Sequence, residues 1–196
     1  MWDERYASPE YVYGTEPNDF LASVASQIPR GRVLSIADGE GRNGVFLASL
    51  GHDVTSVDAS AVGLAKAARL AAARGVHLTT QVVDLADYVI EPGAWAGIVS
   101  IFVHLPPALR QRVHAQVVRG LAPGGVFILE AYSPDQLRHG TGGPSNPELL
   151  PTLDALRAEL GGLEFTHAAA LERDVQEGQF HRGRSAVVQV VARKPG

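Results

Sequence analysis

Short apolar runs alternate with stretches of helical periodicity along almost the whole chain, the pattern that βαβ units on a mainly parallel sheet leave in a sequence. Runs rich in Val, Ile and Leu predict strands at Arg32 to Ala37, Asp53 to Asp58, His77 to Val83, Gly97 to Phe102 and Val126 to Tyr132, each with the composition of a strand buried on both faces. Ser60 caps a helix predicted from Ala61 to Arg74, and Gly75 stands where a left-handed residue closes one. Pro106-Pro107 opens the next helix, since a missing N–H costs nothing in a first turn. Leu109, Val113, Val117 and Leu121 recur along one face of it, and Pro123-Gly124-Gly125 turns the chain into the fifth strand. Leu149, Leu153, Leu156 and Leu160 form a last helical stripe, ended by Gly161-Gly162.

The final third changes character. Leu163 to Leu171 and Ser185 to Ala192 read as strands, and the polar stretch Glu172 to Gly183 between them lacks helical periodicity. That makes a hairpin connection, so the last strand enters the sheet antiparallel. At the other end, Trp2, Tyr6, Tyr11 and Tyr13 make the leader from Trp2 to Pro17 too aromatic for a disordered tail, and it reads as a lid.

Composition narrows the function classes. A chain of 196 residues with 45% apolar and 19% charged residues is expected to form a single domain that buries a sizeable core. A net charge of −4 offers nothing to neutralise phosphates, so neither nucleic acid nor an anionic membrane is an expected partner. The absence of cysteine removes disulfides, thiolate metal sites and thiol nucleophiles, and fits a reducing cytoplasmic setting. His139 and His181 lack ligand spacing, so no metal site is expected.

The candidate chemistry begins at Val33-Leu34-Ser35-Ile36-Ala37-Asp38-Gly39-Glu40-Gly41-Arg42-Asn43-Gly44, where a buried strand runs through a glycine-rich bend into a helix. Small residues let a ligand approach the backbone, and the helix N-terminus supplies unpaired N–H groups beside the bend. Asp58 closes the next strand, where a carboxylate accepts both hydroxyls of an adenosine ribose. Asp84 ends the third strand; it suits the exocyclic amine of adenine, and equally an N-cap.

These residues, in this order, resemble class I S-adenosylmethionine-dependent methyltransferases over essentially the whole chain. Within that family, Tyr13 to Leu21, Gly39-Glu40-Gly41-Arg42-Asn43 and Tyr132 to Pro144 look like bacterial tellurite-resistance-type or thiopurine-type enzymes. The resemblance implies a Rossmann-like, doubly wound α/β fold of seven strands, mostly parallel with the last antiparallel, and S-adenosyl-L-methionine as cofactor. By position, Ala37, Gly39 and Gly41 would flank its methionine part, and Tyr13, Asp38 and Asn43 are further cofactor-binding candidates. Asp58 with Ala59 would hold the ribose, Asp84 with Leu85 the adenine, and Ile101 would sit near the methyl-bearing sulfur. One departure stands out: the family's usual acid is Ser35 here and its usual glycine is Ala37, while Asp38 occupies a small-residue position.

Methyl transfer from a sulfonium is an in-line displacement in which positioning supplies most of the rate. His104, directly after the fourth strand, is a candidate general base, and Tyr132, after the fifth, a second candidate catalytic residue. Tyr11, Tyr13 and Tyr132 are the rings available to a cation. The glycine-rich stretch around Arg138 to Pro144 predicts a mobile loop over residues 133–147. A small-molecule acceptor with a soft sulfur, selenium or tellurium nucleophile is expected. The rivals are a module that binds the nucleoside without reacting, to which Ser35 and Ala37 point, and an NAD(P)-dependent reductase, which shares the bend and the acid.

Overall fold

The computed structural model describes residues 2–178 and 181–196, and of His181 only the main chain. Seven strands form one sheet in the order β3-β2-β1-β4-β5-β7-β6. They are β1 (Arg32–Ile36), β2 (Asp53–Asp58), β3 (Thr79–Val82), β4 (Trp95–Ile101), β5 (Leu121–Tyr132), β6 (Glu164–Glu177) and β7 (His181–Arg193). Only β7 runs against its neighbours β5 and β6, as the hairpin reading of the sequence requires. Among the described residues, no helix is long and apolar enough to cross a membrane.

Alternation along the central strands divides the core into two layers. Leu34, Ile36, Ile98, Phe127 and Leu129 face Val113 and Val117 of α5 (Pro107–Gly120) and Leu156 of α6 (Leu153–Glu159). On the other face Val33, Val54, Val99 and Ile128 meet Leu21 of α2 (Asp19–Val24), Val45 and Leu47 of α3 (Arg42–Ser49), and Leu64 and Leu70 of α4 (Ala61–Ala73). A short helix, α1 (Trp2–Arg5), precedes them all. Each large apolar side chain buried in this way contributes about 1.5–3 kcal/mol, so the helices are fixed by the sheet rather than by their own propensity.

The order in which strands are added to the sheet reverses between β1 and β4, which are parallel neighbours in register from Val33 opposite Gly97. Ligands of doubly wound sheets bind beyond the carboxyl ends of the strands at such a reversal.

Several sequence expectations need correction. β3 is shorter than His77 to Val83 and its four residues are exposed, because it is the sheet's edge. Leu121 leaves α5 to begin β5, and Pro123-Gly124-Gly125 forms a bulge inside that strand where the pairing with β4 jumps from Trp95 opposite Leu121 to Gly97 opposite Val126. Leu149 lies in a separate 3-10 turn, Pro147–Leu149, and α6 starts only at Leu153, since Pro151 cannot supply a helical N–H. The polar stretch from Glu172 to Gly183 is ladder rather than loop: β6 and β7 stay paired as far as Glu177 opposite His181. Arg173 is partly buried and Val175 and Glu177 are buried, while Glu172, Asp174 and Gln176 are exposed, an alternation that hydropathy does not register.

Candidate functional site

A cleft of about 670 Å3 opens beyond the carboxyl ends of β1, β2 and β4. Ala37, Asp38, Asn43, Asp58, Ala59, Asp84, Leu85, Ile101, His104 and Tyr13, all expected from the sequence, line it. Gly39 and Gly41 are not among the residues that line it. Gly39, at φ +57°, brings its backbone so close to Tyr6 that a β-carbon would stand 2.5 Å from the phenol oxygen. Ala37 adopts the left-handed conformation, at φ +48°, that explains why a glycine is usual there.

Asp38 and Asp58 are anchored differently. Ser35 Oγ donates to Asp38 Oδ1 at 2.8 Å, Ser56 Oγ to Oδ2 at 2.5 Å, and the Gly44 N–H to both oxygens at 3.2 Å. A β-carbon at Gly44 would collide with that carboxylate and with Ser56, so the glycine makes room for the acid. Burial raises the Asp38 carboxyl to about 6, against the lowering effect of those donors. Asp58 accepts from the Gly39 N–H and the Ser60 N–H, both at 2.8 Å, and burial raises it as well. A carboxylate with about four lone-pair sites keeps acceptor capacity for a further hydroxyl. Asp84 is exposed and accepts the Ala86 N–H at 2.8 Å, the cap-like bond that its position allowed.

The leader lies across the bend. Asp3 accepts from Ser60 Oγ at 2.5 Å and from the Val62 N–H at 3.3 Å, docking α1 on the start of α4. Tyr6 is 5% exposed; Trp2 stacks on it at 5.9 Å and Tyr13 meets it edge-on at 6.3 Å. Glu40, inside the bend, accepts the Val12 and Tyr13 N–H groups at 2.8 and 3.3 Å and pairs with Lys66 at 2.7 Å. Lys66 also donates to the Glu10 carbonyl at 2.7 Å. Sequence reading missed this latch because its two charges are 26 residues apart.

The two candidate catalytic residues are placed unequally. His104 lines the cleft, but its Nε2 accepts the Tyr132 N–H at 3.2 Å, and burial holds the ring neutral, down to about 4. Tyr132 is fully buried and is not part of the cleft lining; it lies behind, with Phe102 at 4.7 Å and His104 stacked on it at 5.6 Å. Its phenol is pushed above its ordinary range by burial. The segment 133–147 contains a 3-10 turn, Pro134–Arg138, and Gln136 ties it to Thr141 and the Gly142 carbonyl, which sets Gly142, Gly143 and Pro144 on the cleft wall. The side chain of His181 lies outside the described residues.

A second group of residues went unread in the sequence. Glu130, fully buried in β5, is held bidentately by Arg173 at 2.8 and 2.6 Å, by Gln189 at 2.8 Å and by Asn18 at 2.6 Å. Asn18 also donates to Glu177 at 2.8 Å, and its own N–H reaches Asn43 at 2.9 Å. Arg42 completes the cluster with a 2.5 Å pair to Glu177. A lone acid in the apolar run Val126 to Tyr132 was the available signal, since a charge on a central strand needs partners.

The fold is that of methyltransferases of known structure, and residues 33–125, just under half of the chain, match the family profile described as a methyltransferase domain. The chain is 28% identical over 149 residues to the 2-heptyl-1-hydroxyquinolin-4(1H)-one methyltransferase of Mycobacteroides abscessus, a match that covers 73% of this chain and 66% of that relative. Among solved structures it resembles the N-methyltransferase NodS of Bradyrhizobium japonicum in complex with S-adenosyl-L-homocysteine, with TM-score 0.72 and 14% identity over 100% of this chain and 97% of that one. TehB of Haemophilus influenzae superposes with TM-score 0.71 and 19% identity over 98% of this chain and 65% of that one.

Proposed function

We propose that the protein transfers a methyl group from S-adenosyl-L-methionine to a small, largely apolar acceptor whose nucleophile arrives without a proton to lose. When bound, the cofactor supplies an electrophilic methyl on a sulfonium. Asp58 would take the ribose, Asp84 and Leu85 the adenine, and Asp38 the methionine ammonium. Fit to the methionine end comes from Arg42, which lines the cleft and whose buried Nη1 lacks a partner among the described residues. That donor suits a carboxylate. The acid missing at Ser35 is restored by Asp38, 2.8 Å from the Ser35 hydroxyl, which argues against a degenerate binding module.

The observation that carries the acceptor class is the wall beyond Ile101. Phe102, Val103, Leu105, Leu109, Pro144 and Leu149 make that end of the cleft apolar, and the imidazole among them is held neutral with its Nε2 already engaged. A nucleophile that needs a base to ionise it is poorly served there. A soft sulfur, selenium or tellurium atom needs little such help, and the resemblance to tellurite-resistance-type and thiopurine-type enzymes supports it. An acidic N-hydroxyl, as in the substrate named for the mycobacterial relative, meets the same requirement.

Methyl release from the cofactor is to be assayed at pH 7 with thiophenol, tellurite, 2-heptyl-1-hydroxyquinolin-4(1H)-one and an alkyl primary amine. Turnover is expected with at least one of the first three and not with the protonated amine. Preferential turnover of the amine, or tighter binding of NADH than of S-adenosylhomocysteine, would overturn the reading.

A pH test addresses Asp38. A carboxyl at about 6 is protonated below that pH, and only the carboxylate pairs with an ammonium. Calorimetric affinity for S-adenosylhomocysteine is therefore expected to weaken as pH falls through 6, by up to about tenfold per unit. 5′-Methylthioadenosine, which lacks the ammonium, and the Asp38→Asn variant are expected to show no such slope; a slope retained in that variant would assign it to another group.

A further inference from the structure

The β4–β5 ladder ends at Ile101 opposite Glu130, where the chain turns out of the sheet. Phe102 makes the turn in a left-handed conformation, at φ +53°, while its N–H still reaches the Glu130 carbonyl at 2.7 Å. A bulky aromatic residue is a genuine outlier there, and such strain persists only when the surroundings over-determine it.

The departure of β4 also leaves the N–H of Tyr132, two residues past the last ladder pair, without a strand partner on that side. His104 Nε2 accepts it at 3.2 Å, so a side chain continues the ladder that the main chain has left. The ring forms its other main-chain hydrogen bond with Phe102 and stacks on Tyr132 at an interplanar angle of 13°. A nitrogen that accepts a backbone N–H has spent the lone pair a base would use.

We propose that His104 is a positioning residue for methyl transfer: bonded to the main chain of both Phe102 and Tyr132, it fixes the left-handed turn that sets residues 102–105 as the wall against which the acceptor lies. All four residues of that turn line the cleft. The inference rests on the methyl-transfer reading above and adds the device that orients the acceptor. Without the imidazole, Phe102 is free to relax toward extended backbone and to carry Val103 and Leu105 with it. A shift of about 1 Å in such a wall is enough to cost on the order of a hundredfold in rate.

The first test needs no acceptor. In ¹⁵N-histidine spectra of the full chain saturated with S-adenosylhomocysteine, His104 is expected to remain the neutral Nδ1-protonated tautomer from pH 5.5 to 8. A midpoint near the ordinary imidazole value of about 6.5 would overturn the proposal in favour of a base. The second test uses whichever of thiophenol, tellurite and the hydroxyquinolone turns over fastest. His104→Ala is expected to lower kcat roughly a hundredfold with cofactor affinity unchanged, and His104→Gln, whose amide oxygen accepts the Tyr132 N–H but is no base, to restore most of it. In a Phe102→Gly background, where the turn is unstrained, the alanine substitution is expected to cost little more. A glutamine variant as inactive as the alanine one would sink the idea. Failure to bind S-adenosylhomocysteine at all would instead refute the methyl-transfer reading, so the two failures are distinguishable.

Discussion

Replacing Asp58 by alanine is expected to weaken the binding of S-adenosylhomocysteine by a factor on the order of 100–1,000. Hydrogen bonds to a charged group contribute about 1.5–3 kcal/mol each, and a ribose offers two hydroxyls to one carboxylate. The bound nucleoside would lose that anchor, and the protein would lose one of its own. The Gly39 and Ser60 N–H groups both end on Asp58, so its removal loosens the glycine bend and the start of α4 together. Asp58→Asn separates these effects. It keeps one acceptor oxygen and most of the shape, but the Gly39 and Ser60 N–H groups end on different oxygens, so one of them would face the new amide NH2; its melting temperature is expected to fall by less than that of the alanine variant while cofactor affinity still falls. Calorimetry with S-adenosylhomocysteine and thermal unfolding of both variants provide the measurement. Undiminished affinity in the alanine variant would remove the carboxylate from the site.

What the sequence disclosed about this cleft was what sequence neighbours decide among themselves. Ala37, Asp58, Asp84 and Ile101 each end a run of Val, Ile or Leu, and in a parallel sheet such ends share one edge, so they fall together in the cleft as read. The Ser60 cap and Gly75 are one-turn effects, and the structure keeps both: the Ser60 hydroxyl accepts from the Gly63 N–H at 2.9 Å, and Gly75 has φ +67°. His104 was legible by position but its bond to Tyr132 was not, because Tyr132 ends a strand 28 residues away that only the fold brings near. Glu40 with Lys66 and Arg42 with Glu177 were illegible for the same reason: a buried ion pair looks, in one dimension, like two solvated charges. The length of the β6–β7 hairpin follows from that blindness. Its polar outer half is strand because Arg173 and Glu177 turn inward to charges on β5 and α3.

That inward turn is expected to carry a large stability effect. Arg173→Met is expected to destabilise the fold by about 3–5 kcal/mol, because breaking a buried pair on one side leaves the other charge uncompensated. Glu130 is fully buried and would keep only the neutral amides of Asn18 and Gln189, while Glu177 would keep Arg42 and Asn18. For a chain of this length the loss corresponds to a fall in melting temperature of roughly 10 °C. The double variant Arg173→Met with Glu130→Gln removes both charges, so it is expected to recover a substantial part of the loss. An exposed pair gives the contrast: Arg32 and Glu91 meet at 3.0 Å with side chains 45% and 61% exposed, and Arg32→Met is expected to cost less than about 1 kcal/mol. Thermal unfolding of the three variants decides the matter, and equal losses for Arg173→Met and Arg32→Met would mean that solvent reaches Glu130. The same unfolding series has a functional reading. Asn18 joins this cluster to Asn43 on the cofactor bend through a 2.9 Å bond, so a variant that loosens the hairpin is expected also to weaken S-adenosylhomocysteine binding, whereas loss of an exposed pair is not.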